Sequence, residues 1–281
     1  MSKTWLITGI SSGFGKALAE QLLAKGETVV GTVRTEKADI KDLKAQYPDT
    51  LDVRHLDVTN TKEIRRVVDE AVKSHARIDV LINNAGYGLF GAAEELSDQD
   101  IALIMATNLT GSIQMIRAVI PYMRKQGGGR IIQISSYGGQ VAYPGNSLYH
   151  ATKFGIEGFC ESVAQEVKPF NIGVSIIEPG GARTEFRYGS AHVANLMPEY
   201  DGTPTHAFLK MLDPANGLAP GDPKKMAARI IETVSQEPAP LHLVLGSQAL
   251  QATIDRLNER LAEYESEYDL AASTDIKEGE E

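Results

Sequence analysis

The chain has 281 residues, 42% of them apolar and 23% charged, and its 28 basic against 37 acidic side chains leave a formal net charge of −9. This suits one α/β domain of larger than average size and argues against duplex nucleic acid as a partner, which needs a surplus of Lys and Arg on one face. One cysteine, Cys160, excludes an internal disulfide, six histidines fall in no metal-ligating spacing, and no uninterrupted apolar run reaches the ~18 residues that cross a bilayer.

Residues 1–7 lead straight into a glycine-rich turn and leave no room for a signal peptide, so the expectation is a cytoplasmic protein with no membrane or metal partner. Taken in chain order, residues 4–8, 28–33, 51–56, 80–82, 130–134, 173–177 and 241–245 are short β-branched and aliphatic runs. Their apolar residues are consecutive rather than alternating, the pattern of strands covered on both faces. Helical periodicity fills residues 15–25, 62–74, 112–124 and 149–167, the last stopped by Pro169. Strands alternating with helices predict a doubly wound, seven-stranded parallel sheet with helices on both faces.

Between the first strand and first helix lies Thr8-Gly9-Ile10-Ser11-Ser12-Gly13-Phe14-Gly15. Glycines there let the backbone approach a pyrophosphate, and the free N–H groups at a helix start favour that anion. The spacing Thr-Gly-x-x-x-Gly-x-Gly resembles the short-chain dehydrogenase/reductase family. Further motifs follow in the family's order: Asn83-Asn84-Ala85-Gly86, Asn108, Ser136, Tyr149-x-x-x-Lys153, then Pro179-Gly180 and Thr184. The runs around Ser136 and after Lys153 resemble the branch of 17β-hydroxysteroid and retinol dehydrogenase-like enzymes.

The resemblance implies a Rossmann-type fold, hydride transfer between a nicotinamide and a carbonyl or alcohol, and a homodimer or homotetramer. Tyr149 and Lys153 are four apart, hence on one helix face. A phenol titrates near ~10, and a neighbouring ammonium together with an oxidised nicotinamide is expected to lower that value, making Tyr149 a general acid/base. Ser136 is expected to donate to the substrate oxygen. By resemblance, Lys153 also bonds the nicotinamide ribose and Asn108 holds a water for proton resupply. Asn83 and Asn84 also suit the termination of a strand, His150 is turned away from the tyrosine as a packing residue, and Cys160 reads as an inert buried thiol.

The second strand ends at Arg34 with no acid until Glu36, where an NAD site typically carries Asp or Glu. Arg34, with Ser11 and Ser12, suits a ribose phosphate and points to NADP(H) over NAD(H). Asp57 and Val58 match the family position against the adenine.

Residues 185–222 hold no clear strand but many apolar side chains, among them Phe186, Tyr188, Val193, Leu196, Met197, Tyr200, Phe208, Met211 and Leu212. They suit either a lid over an apolar small-molecule substrate or a small core of their own, and Tyr143 is a second candidate for the pocket wall. A sugar-nucleotide epimerase or dehydratase and a non-catalytic NADP-binding regulator are the competing readings. The glycine spacing disfavours the first, and the complete set Asn108, Ser136, Tyr149 and Lys153 disfavours the second.

Residues 251–281 carry ten acids and three bases, −7 of the total −9, so residues 1–250, the expected cofactor-binding domain, sum to −2. Within this end, Leu250, Ile254, Leu257, Leu261, Tyr264 and Tyr268 form an amphipathic stripe able to pack on the body or on a second subunit. Past Tyr268 the expectation is a disordered acidic tail.

Overall fold

The computed structural model describes residues 2–35, 40–189 and 191–276. Its main sheet collects β1 (Thr4–Ile7), β2 (Thr28–Val33), β3 (Leu51–His55), β4 (Val80–Asn83), β6 (Gly129–Ile134), β7 (Ile172–Pro179) and β9 (His242–Leu245). The order is β3-β2-β1-β4-β6-β7-β9, with every neighbouring pair parallel. All seven expected strands are present with ends shifted by a residue or two. A two-residue pair, β5 (Leu89–Phe90) with β8 (His192–Val193), forms a second, separate sheet.

Consecutive apolar residues face opposite layers. Trp5 and Ile7 of β1 join α1 (Gly13–Ala24) and α9 (Pro223–Thr233) in one core cluster, which also takes Leu18, Leu22 and Ile230. Leu6 points the other way, into the cluster built by α3 (Thr61–His75), α5 (Gly111–Lys125) and α6 (Ser147–Val167) through Ile64, Val67, Met115, Ile116 and Ile156. Each such fully buried side chain is worth about 1.5–3 kcal/mol relative to exposure, and this two-sided burial holds the strand ends in place.

Helices α2 (Lys41–Gln46) and α4 (Asp98–Ile104) complete the layers. A π-helical turn, Met105–Thr110, joins α4 to α5. The joined stretch, Asp98–Lys125, is by length and composition long and apolar enough to cross a bilayer, although its longest run without a charged residue, 101–116, contains Thr107, Asn108, Thr110, Ser112 and Gln114. Its apolar side chains Ile104, Met115, Ile116, Val119 and Met123 are fully buried in the protein core.

Two expectations change. The segment 185–222 contains β8 and short helices, α7 (Glu185–Tyr188) and α8 (Pro204–Leu209), rather than unbroken loop. After α10 (Ser247–Ser266), residues past Tyr268 continue as α11 (Tyr268–Ala272), because Leu270, Ala271 and Ala272 favour helix and Asp269 sits in its first turn. Residues 277–281 of the expected tail lie outside the described residues.

Candidate active site

A cleft of about 860 Å³ runs along the carboxyl ends of the strands. It lies at the point where the order reverses between β1 and β4, the position for ligands in doubly wound sheets. Gly9, Ser11, Ser12, Gly13, Phe14, Arg34, Asp57, Val58, Asn84, Ala85, Gly86, Ser136, Tyr143, Tyr149, Lys153, Pro179, Gly180, Thr184 and Phe186 all line it. Gly15 and Asn108 stand behind its wall instead.

The glycine turn is shaped from within. Gly9 has a φ of +75° and Gly13 of +55°, and a Cβ on Gly15 would sit 2.0 Å from the Gly9 carbonyl oxygen. Ser12 makes no side-chain cap to α1 and no acid occupies the first helical turn, so the helix-start N–H groups remain available to an anion. Asn84 fastens the turn by donating through Nδ2 to the Thr8 and Gly9 carbonyls, each at 2.9 Å. Thr8 Oγ1 accepts from the Asn84 and Ala85 N–H groups at 2.9 and 3.0 Å. This cradle fits a dinucleotide. Thr8 is signalled in sequence only as the residue opening the motif.

Asn108 belongs to the π-helical turn. It accepts from the Tyr87 N–H at 3.1 Å and donates to the Tyr87 carbonyl at 2.9 Å, holding the loop after β4. Glu36 lies outside the described residues, while Arg34 is exposed at the rim beside Thr35.

Tyr149, Lys153 and Glu157 follow one another at four-residue spacing on α6. Ser136, at the end of β6, accepts from the Gly138 N–H at 3.0 Å and lies close enough to the Tyr149 phenol for its hydroxyl to favour the phenolate. Lys153 Nζ donates to the Ile134 carbonyl at 3.0 Å and lies 5.6 Å from the centre of the Tyr149 ring. Burial raises the phenol to about 12, against the Ser136 hydroxyl, with the Glu157 charge raising it further. Burial also lowers Lys153 to about 8, opposed by Glu157. The phenol is thus shifted upward by desolvation rather than lowered by the ammonium as expected.

Glu157 was not foreseen, although it continues the Tyr149–Lys153 spacing by one further turn. Its carboxylate accepts from Ser135 Oγ and, at 2.6 Å, from Gln140 Nε2, bracing both ends of the segment that presents Ser136. Burial pushes it up to about 7. With Glu178 and His242 it forms a group whose ligand-type atoms lie within 4.8 Å of one another, and His242 Nδ1 bonds Glu178 Oε1 at 2.6 Å. His150 bonds backbone through both ring nitrogens, Nδ1 to the Gly138 carbonyl at 2.7 Å and Nε2 to the Tyr143 N–H at 3.0 Å. It fixes the loop behind Tyr149. Cys160 is fully buried, its thiol raised to about 12 by burial.

The outer wall is aromatic. Phe186 lies 5.8 Å from Tyr149, and Phe208 stacks on Tyr143 at 6.0 Å and on Phe90 at 6.4 Å between ring centres. Met211, Tyr87, Tyr137 and His192 complete it. Val193 and Leu196 face solvent instead.

The segment carrying these rings is pinned by polar contacts. Glu95, just before α4, accepts from the Ala92 and Met197 N–H groups at 2.6 and 2.7 Å and from His206 Nε2 at 2.8 Å. His206 Nδ1 reaches Asp201 at 3.1 Å. An isolated bridge between Ala182 and Gly221 closes the base of the loop.

A dinucleotide cradle leading to a partly buried tyrosine with a buried serine and lysine, under an aromatic roof, defines a nicotinamide-dependent oxidoreductase. The chain matches the short chain dehydrogenase family model over residues 3–192 and belongs to that family. It is 36% identical over 246 residues to a 3-ketodihydrosphingosine reductase of Bacteroides thetaiotaomicron, covering 86% of this chain and 87% of the relative. A short-chain dehydrogenase from Streptomyces avermitilis superimposes with a TM-score of 0.90 at 39% identity, over 98% of this chain and 99% of that one. ElxO with NADP bound gives a TM-score of 0.71 at 27% identity, over 87% and 96%. The protein is thus a dehydrogenase/reductase acting on CH–OH or carbonyl groups.

Proposed function

We propose that this enzyme is an NADP(H)-preferring carbonyl reductase or alcohol dehydrogenase for substrates with apolar bulk, with Tyr149 as general acid/base. The observation that carries the reading is the meeting of Ser136, Tyr149 and Lys153 in one cleft, set between the glycine cradle and the aromatic roof. Bound NADP(H) supplies or accepts the hydride. In the reducing direction Tyr149, a neutral phenol in this buried site, gives its proton to the substrate oxygen while Ser136 donates to the same oxygen as charge develops. Lys153 would bond the nicotinamide ribose and return a proton to the phenol, and Asn108 would hold the resupplying water.

Arg34 at the rim, with Ser11 and Ser12, supports the phosphate-bearing cofactor, as does the likeness to ElxO with NADP bound. Phe186, Phe208, Tyr143 and Met211 support an apolar ketone, aldehyde or secondary alcohol. The similar 3-ketodihydrosphingosine reductase places long-chain ketones in the panel to be tried.

The test follows NADPH and NADH consumption across aldehydes, cyclic and acyclic ketones, and keto esters. Turnover is expected with NADPH, and Tyr149→Phe should lower kcat by roughly 10²–10⁴-fold, the usual contribution of a general acid, with cofactor affinity retained. Cofactor binding without turnover of any carbonyl would instead support a regulator, and full activity in the Tyr149→Phe variant would remove the assigned role.

A further inference from the structure

The amphipathic stripe near the end of the chain had two possible partners, the body or a second subunit. The body does not take it. Of the twenty residues of α10, only Ala249 and Thr253 are buried. Leu250, Ile254, Leu257, Leu261 and Tyr264 are 46, 44, 44, 55 and 66% exposed, and Tyr268, opening α11, is 78% exposed. Beyond its first two turns, α10 is tied to the body through Arg260, which lies over the Phe154 ring at 5.9 Å and donates to the Gln140 carbonyl at 3.4 Å.

The spacing of the exposed side chains is 4, 3, 4, 3 and 4 residues. That repeat is the seam of paired helices, narrower than the face a helix presents to a globular core. A partner helix with the same repeat is therefore the matching surface.

Charge selects its direction. Residues 247–258 contain one acid, Asp255, and one base, Arg256, whereas residues 259–267 contain Glu259, Glu263, Glu265 and Glu267 against Arg260 alone. A parallel pair of identical helices would lay the two acidic ends together. An antiparallel pair centred on residue 259 moves Glu263, Glu265 and Glu267 about 12, 18 and 24 Å along the axis from their counterparts, beyond the ~8 Å over which charges act at physiological salt, and leaves at the centre only Glu259, which Arg256 of its own helix neutralises.

We propose that α10 is a self-association surface that pairs with α10 of a second copy of this chain, antiparallel about a two-fold axis. The seam closes on itself in this arrangement: Leu257 meets Leu261 of the second copy, Ile254 meets its Tyr264, and Leu250 meets its Tyr268. Each contact occurs twice, as an isologous interface requires.

Light scattering and sedimentation of the full chain test this. The double variant Leu257→Glu/Leu261→Glu should halve the mass of the wild-type assembly at equal loading, with the circular dichroism spectrum unchanged because both side chains are exposed on the single chain. A second experiment reads the direction. Under oxidation, Ile254→Cys combined with Tyr264→Cys should give a covalently linked pair of chains, whereas Ile254→Cys alone should not, and buried Cys160 stays out of the reaction. A monomeric wild-type protein, an unchanged mass in the double-glutamate variant, or linkage through Ile254→Cys alone would each overturn the proposal.

Discussion

Glu157 shows how one side chain outside the cleft can govern chemistry inside it. Its hydrogen bonds fix the turn around Ser136, and its charge raises both Tyr149 and Lys153, so it favours the protonated phenol needed for carbonyl reduction. Since Glu157 itself sits at about 7, that influence grows as pH rises through neutrality. Glu157→Gln keeps an acceptor for Ser135 but removes the charge. The phenolate required for alcohol oxidation should then form more easily, moving the acid limb of the oxidation pH profile down by about half a unit or more. A limb that stays in place, with only kcat reduced, would leave Glu157 a brace alone. Arg34 makes a separate case at the other end of the cleft. A charge-assisted hydrogen bond to a ribose phosphate is worth about 1.5–3 kcal/mol, so Arg34→Glu should raise KM for NADPH roughly 10- to 100-fold and that for NADH far less. Equal changes would sink the NADP(H) preference.

At the scale of elements, the least regular segment has the clearest fastening. Glu95 is held below the usual carboxylate range: burial alone would raise it, but the Met197 and Ala92 N–H groups and His206 outweigh that cost. His206 is raised, first by its hydrogen bond to Glu95. A histidine raised on folding stabilises fully below its unfolded value, near ~6.5, and loses that contribution as pH climbs through the folded one. Protection of residues 191–216 against hydrogen exchange, taken relative to the intrinsic amide rate at each pH, should therefore fall from pH 6 to pH 9, and His206→Gln should flatten the dependence; a flat wild-type protection profile would contradict the fastening. Sequence announced the rings of this lid, Phe186 and Phe208, because apolar residues concentrate there. It did not announce β8, whose two residues are exposed and too few to carry a pattern. The π-helical turn at Asn108 was equally hidden, since a single widened turn leaves the surrounding periodicity intact, and α9 escaped notice although its Asp222 caps it.

For the molecule as a whole, the sheet was legible because covered parallel strands write continuous apolar runs, as Val80-Leu81-Ile82 and Ile131-Ile132 do. The cofactor cradle was legible because glycine has few substitutes where φ is positive or a Cβ would strike backbone, as at Gly9 and Gly15. Glu157, Glu95 and His206 were not, because their partners are distant in sequence: Glu95 meets His206 only after the lid folds back. The near neutrality of residues 1–250 places the acidic surplus at the end that carries α10. The tie between Asn84 and the carbonyls of Thr8 and Gly9 also sets a chronology. The nucleotide turn leaves the ribosome ahead of its fastening, which arrives some seventy-five residues later. At about 5–20 residues per second the turn waits several seconds for Asn84, and longer for Ser136 and Lys153. Cofactor capture therefore waits at least until Lys153 has emerged, and the nascent turn spends the interval before Asn84 as an unfastened loop.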